Sequence, residues 1–149
     1  MQTFLPYSDF EMSAKVLDYK RLGKQRVECL QILKVNDLVW CRTNDSKIAW
    51  ENHPAVLMWR GYSNALYYYM QCICKEWVGR GYVDNCLEKA RQYTSNYVSQ
   101  CSLPVWIGNE EFHISHRSNL LRKNPDHYNR YFLNVTNDMP YIWPVRKKQ

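Results

Sequence analysis

The chain has 149 residues, the size of one ordinary domain, and 20 basic against 14 acidic side chains leave it a net charge of +6. No stretch approaches the roughly 18 consecutive apolar residues of a membrane helix. The N-terminus, Met1-Gln2-Thr3-Phe4-Leu5-Pro6, lacks the basic and apolar regions of an export signal.

Aromatic residues make up 15% of the chain. On a basic chain this suits nucleic acid, because cations meet phosphates and rings stack on bases, and it equally suits a Tyr-rich core. Without export, Cys29, Cys41, Cys72, Cys74, Cys86 and Cys101 are expected as reduced structural thiols, and none stands in a C-x-x-C pair.

In chain order, residues 8–17 read as a helix. Ser8 is placed to cap it, Glu11 completes a capping box, and Phe10, Ala14 and Leu17 repeat at helical spacing. The next run, Asp18-Tyr19-Lys20-Arg21-Leu22-Gly23-Lys24-Gln25-Arg26-Val27-Glu28, is dense in charge, and Gly23 marks a break or a close approach. Val27, Leu30 and Leu33 then line one face, and residues 36–51 lose periodicity and read as an irregular connection.

Pro54 suits a first helical turn, and residues 55–78 read as the strongest helix, stopped by Gly79 and Gly81. Asp84 is placed to cap a further helix through Leu87 and Ala90. Residues 103–108 form an extended loop, and Asn109 caps a helix with Glu110 and Glu111 in its first turn. Asn124 and Pro125 open a last short helix, and the tail at residues 139–144, with two prolines, is expected to lie extended across the body. Period-2 alternation is absent. The expectation is an all-α fold, one compact helical domain over residues 1–149 with an extended C-terminal tail.

Three places carry candidate chemistry. Lys20 and Lys24 share a helix face, with Arg21 and Arg26 beside them, so the face suits a phosphate backbone. Asp18 and Glu28 flank it and are candidates to orient a basic group or stabilise a cation; the alternative is a solvated face with Asp18–Arg21 and Lys24–Glu28 pairs. His53, ahead of Pro54, either caps or does acid–base work, and Arg60 lies off the apolar stripe, while Trp59 reads as core. The run from His113 to Lys123 sets His113 and His116 one turn apart. Two histidines with no cysteine or carboxylate at zinc spacing leave no metal site expected. Arg117, Ser118, Asn119, Arg122 and Lys123 read as phosphate or base contacts, or else as a polar network anchoring the tail. Basic residues gather at 20–26, 117–123 and 146–148. No glycine-rich nucleotide motif and no G-x-S-x-G occurs, so kinase, dinucleotide-enzyme and serine-hydrolase readings have no support.

Five segments together resemble a bacterial and phage family of pyrimidine-dimer DNA glycosylases, related to the phage endonuclease V type. They are Met1-Gln2-Thr3-Phe4-Leu5-Pro6, Arg21-Leu22-Gly23-Lys24-Gln25-Arg26-Val27-Glu28, Asn52-His53-Pro54-Ala55-Val56-Leu57-Met58-Trp59, Ser115-His116-Arg117-Ser118-Asn119-Leu120-Leu121-Arg122-Lys123 and Pro140-Tyr141-Ile142-Trp143-Pro144. The resemblance implies a small, basic, all-α enzyme without metal or cofactor. In it an N-terminal α-amine attacks sugar C1′ to form a Schiff base, a glutamate on the first long helix assists, and β-elimination then cuts the strand. An α-amine, with an ordinary pKa near 7.7–8.0, is in part neutral at pH 7, and a carboxylate stabilises the cationic imine.

The sequence departs from that pattern twice. Gln2 is bulky, so Met1 is expected to be retained, whereas the amine of the phage endonuclease V type belongs to a small residue exposed by Met removal. The stretch aligned with the catalytic glutamate reads Lys20-Arg21-Leu22-Gly23-Lys24, and the nearest acids are Asp18 and Glu28. Lys20 or Lys24 is an alternative nucleophile, and Asp18, Glu28 or a histidine an alternative activator of water.

The expectation is therefore a DNA glycosylase excising a damaged or modified pyrimidine, with or without AP-lyase activity through an amine Schiff base. The alternatives are a non-catalytic module that binds distorted or modified DNA, and a plain structural role. The candidate catalytic residues are Met1, Asp18, Glu28, His53 and His116. The candidate DNA contacts are Lys20, Arg21, Lys24, Arg26, Arg60, Arg117, Ser118, Asn119, Arg122 and Lys123, with Tyr128, Tyr131 and Trp143 to wedge or stack. The expected partner is double-stranded DNA carrying a lesion or modified base, met by a monomer in the cytoplasm at the nucleoid, bacterial, phage or virus encoded.

Overall fold

The computed structural model describes residues 1–94 and 102–145; Cys101 and the basic cluster at 146–148 lie outside them. The helices are α1 (Phe10–Val16), α2 (Tyr19–Cys41), α3 (Pro54–Trp59), α4 (Ser63–Gly79), α5 (Cys86–Ala90), α6 (Glu110–Lys123) and α7 (Pro125–Tyr128), with a 3-10 turn at Arg91–Tyr93. Among the described residues there is no strand, so the fold is all-α as the periodicity predicts. No helix among them is long and apolar enough to cross a membrane.

Several helix ends follow local chemistry. The Asn109 side chain accepts from the Phe112 N–H at 3.3 Å and opens α6. Asn124 accepts from the His127 N–H at 3.3 Å ahead of Pro125. Asp84 accepts from the N–H groups of Cys86 and Leu87, both at 3.1 Å. Other ends differ from the expectation. Asp9, not Ser8, caps α1, its carboxylate accepting from the Met12 N–H at 2.9 Å. Helix α2 runs on through residues 36–41, because Val35 and Asn36 are buried against the body and the Asn36 amide donates to the Val56 carbonyl at 3.1 Å. Residues 55–78 are two helices. Gly61 between them takes a left-handed φ of +85°, a conformation that costs glycine little and other residues more.

Helix α2 is about 34 Å long and packs along α4, which α1 also contacts. At Gly23 the backbone of α2 lies directly against the Trp77 ring of α4. A Cβ there would lie 2.8 Å from Trp77 Cη2. The Trp77 ring has no easy retreat: its N–H donates to the Val83 carbonyl at 3.0 Å, it stacks on Tyr82 at 4.1 Å, and the Arg26 guanidinium lies 4.6 Å above it. Gly23→Ala is thus expected to lower stability by about 1 kcal/mol net, overpacking outweighing alanine's better helix propensity. Urea unfolding measures it, and a midpoint that stays or rises would mean Trp77 yields freely.

Trp59 sits at the centre, fully buried, stacked 6.2 Å from Tyr69 and edge-on to Trp106 at 4.9 Å. Its indole N–H donates 3.0 Å to the Thr3 hydroxyl, which ties the core to the start of the chain. The tail crosses α6 in extended form. The Met139 N–H donates to Ser118 Oγ at 3.0 Å and the Ile142 N–H to Ser115 Oγ at 3.2 Å.

Candidate active site

Residues 3–6 are buried although they belong to no helix. Buried backbone groups need partners, and here side chains from distant elements supply them. Gln25 of α2 accepts from the Phe4 N–H at 2.9 Å and donates to the Gln2 carbonyl at 3.0 Å. The Tyr69 hydroxyl of α4 donates to the Phe4 carbonyl at 2.5 Å. From α6, His116 Nδ1 accepts from the Leu5 N–H at 2.9 Å, and Arg117 donates to the Pro6 carbonyl at 2.7 Å.

The paired histidines face the chain start. His113 Nε2 accepts from the Gly108 N–H at 3.0 Å, so its Nδ1 carries the proton and donates to the Leu5 carbonyl at 2.8 Å. Burial holds His113 below the ordinary imidazole value, the bond to Leu5 opposing it in part. Burial, with the neighbouring His113, pushes His116 down to about 3. Both are therefore neutral at pH 7 and serve as a clamp on the N-terminal segment.

The clamp delivers Met1 to a cleft of about 240 Å³. Met1, Gln2, Gln25 and Glu28 line it, Arg21, Lys24 and Lys123 stand around it, and Phe4, Tyr141 and Trp143 supply rings. The Glu28 side chain is 9% exposed. Lys24 Nζ lies 3.8 Å from Glu28 Oε1, on a lysine side chain that is 74% exposed. The arrangement combines an amine, a carboxylate, three cations and aromatic walls. That set can attack a carbon electrophile, stabilise a cation and hold an anionic backbone. Among the described residues no group of three His, Cys, Asp or Glu side chains could hold a metal ion.

Of the residues singled out in the sequence, Met1, Arg21, Lys24, Glu28, Lys123 and Trp143 meet in this cleft. The others stand elsewhere. Asp18 is buried at the start of α2. Its backbone N–H donates to the Tyr128 hydroxyl at 3.0 Å, and that hydroxyl donates back to Asp18 Oδ1 at 2.5 Å. Arg21 adds a 3.2 Å pair. Burial alone would raise the Asp18 carboxyl, but the Tyr128 bond and the Arg21 guanidinium outweigh it, and it lies below its ordinary value. Tyr128 is fully buried, stacked 5.3 Å from Phe132, and presents no ring for a base. His53 caps α3, accepting from the Ala55 N–H at 3.0 Å.

The arginines of the sequence reading mostly hold the body together. Arg26 bonds Asp84 at 2.7 Å. Arg60 donates to Asn36 at 3.1 Å and to the Glu51 carbonyl at 2.6 Å. Arg117 bonds Glu110 at 2.5 Å besides Pro6. Arg122 donates to Asn119 Oδ1 and to the Asn137 carbonyl, and Asn119 donates to the Met139 carbonyl at 3.0 Å. Ser118 and Asn119 are buried and serve the tail, the anchoring role the sequence left open.

Sequence reasoning missed Gln25 and Tyr141 on the cleft, since neither titrates near neutrality nor sits in a charged pattern. It also missed Lys34. With Lys20, Lys24, Val27 and Gln31 it forms an exposed stripe on α2 at three- and four-residue steps.

Compared with known proteins, residues 1–90 match a family model described as pyrimidine dimer DNA glycosylase. No curated protein and no solved structure gives a significant match. The matched span carries Met1, Arg21, Lys24 and Glu28; the α6 clamp, Lys123 and Trp143 lie beyond it.

Proposed function

The chain belongs to the pyrimidine dimer DNA glycosylase family, and from that membership we propose that it excises a damaged pyrimidine from duplex DNA through the α-amine of Met1, assisted by Glu28. The observation that carries this reading is the cleft, where Met1 and the buried Glu28 carboxylate share one wall-to-wall space ringed by cations.

The amine lone pair attacks C1′ and the C1′–N bond breaks. The base leaves with a proton, and the opened sugar becomes a protonated imine on the amine. In this reading Glu28, which lines the same cleft as Met1, supplies the negative charge that stabilises that cation and relays a proton. Hydrolysis returns the free amine and an abasic site. Loss of a C2′ proton instead expels the 3′ phosphate and cuts the strand, the AP-lyase step. Glu28 is preferred over Asp18 because Glu28 lines the cleft with Met1, whereas Asp18, at the start of α2, is bonded to Tyr128 and Arg21 and does not line it. Lys24 and Lys123 at the cleft, with Lys20 and Lys34 along α2, suit the phosphates on either side of the lesion.

Borohydride reduction tests the chemistry. The protein is incubated with duplexes holding a cyclobutane pyrimidine dimer or an abasic site, reduced, digested and mapped. An adduct on the Met1 peptide is expected. An adduct on Lys20 or Lys24 would overturn the assignment of the amine. Base release without an adduct would make water the nucleophile. Tight, salt-sensitive binding with neither would leave the non-catalytic DNA-binding module.

A further inference from the structure

Resting on the glycosylase reading, we propose that Trp50 is a DNA-stacking residue, whose indole enters the base stack beside the lesion and holds it open while Met1 and Glu28 act on the sugar.

Trp50 is 57% exposed, and its backbone takes φ of 69°. Among the described residues only Asn134 shares a positive φ without being glycine. Bulky side chains avoid that region, and residues held there cluster at binding sites. The loop that holds it is braced. Arg42 bonds Glu51 at 2.6 Å and the Ser46 carbonyl at 3.1 Å. The Arg60 guanidinium grips the Glu51 carbonyl at 2.6 Å, and the His53 N–H donates to the Trp50 carbonyl at 3.0 Å. The bracing holds a large apolar ring out in water on a basic protein. A ring serving the core would fold inward.

The position of the ring connects it to the cleft. Trp50 meets the His53 ring edge-on at 5.9 Å, and His53 meets Trp143 at 6.1 Å. Trp143 lines the space shared by Met1 and Glu28. An aromatic row thus runs from the cleft wall out to an exposed indole. Trp50 also lines a second hollow of about 340 Å³, with Lys47, Glu51 and Asn52 on its wall. A cation for phosphate and an amide for a base edge flank a flat ring. A base leaves the stack at a cost, and an aromatic side chain filling or capping the gap offsets it without reading sequence.

The test uses the full chain and a duplex with a non-cleavable abasic analogue flanked by 2-aminopurine. Titration gives affinity, and the 2-aminopurine signal reports unstacking. Trp50→Ala is expected to bind roughly 5- to 150-fold more weakly and to lose most of the signal, with Trp50→Phe restoring both. The thermal midpoint should not move. Unchanged affinity and signal in Trp50→Ala would overturn the proposal, and so would a lowered midpoint in both variants, which marks a structural ring. A wild-type chain that binds none of these duplexes would overturn the glycosylase reading together with this one. Wild-type binding that Trp50→Ala leaves intact would overturn this one alone.

Discussion

Glu28→Gln is expected to lower excision from a pyrimidine-dimer duplex by about 10²- to 10⁴-fold, the range over which a positioned carboxyl acts on a transition state. Glutamine keeps the shape of the side chain and removes its charge. The cationic imine then forms without a counter-charge in a cleft already ringed by Arg21, Lys24 and Lys123. The fold should tolerate the change. The pair Glu28 makes with Lys24 is 3.8 Å long and ends on a solvent-exposed ammonium, so it contributes little to stability. Single-turnover excision and borohydride trapping provide the measurement, with a thermal midpoint beside them. Asp18→Asn gives the contrast: it breaks the buried bonds to Tyr128 and Arg21, so it should lower the midpoint first and activity only in proportion. Full excision by Glu28→Gln would remove the carboxylate from the mechanism.

The second large effect is acid sensitivity. His116 is fully buried, accepts from the Leu5 N–H, and has its pKa pushed down to about 3. In the unfolded chain an imidazole titrates near 6.5. Below that pH the unfolded state takes up a proton that the folded state refuses, so stability present above about 6.5 drains away as pH falls toward 3. At pH 4.5 the loss from His116 alone is on the order of 2–3 kcal/mol. His113, also held below its ordinary value by burial, adds in the same direction. Asp18 and Asp84, whose carboxyls lie below theirs, add theirs only at more acidic pH. Urea midpoints at pH 7.5, 6 and 4.5 should fall steadily in the wild type. In His116→Gln the chain should start less stable, because a fitted bond is replaced, and its midpoint should fall less steeply. A flat wild-type profile would mean that the clamp is not neutral. Under the proposed mechanism the clamp bears on activity, because the segment it holds begins with Met1.

The basic residues divide by side-chain type, for a specific physical reason. Arg26, Arg60, Arg117 and Arg122 each bond partners of the body, whereas Lys20, Lys24, Lys34 and Lys123 face solvent. A guanidinium fork pairs well with carbonyls and carboxylates inside a fold; a compact, strongly hydrated ammonium stays in water. A basic segment in the sequence looks the same in both cases. Glu28 and Met1 were legible as candidates, but only the cleft separates them from Asp18 and His116.

The features legible from the residues alone are local: the all-α character, the caps at Asn109 and Asn124, the Pro54 start and the stop at Gly79, while at Gly23 the choice between a break and a close approach waited on Trp77. Each rests on groups within a helical turn or on one residue's own geometry. The tertiary structure decided where Met1 lies, because His116 meets Leu5 across 111 positions, His113 meets it across 108, and Gln25 meets Phe4 across 21. Periodicity carries no information about such pairs. They form because a buried extended segment with no sheet beside it must find side-chain partners, and the packed helices decide which ones are in reach.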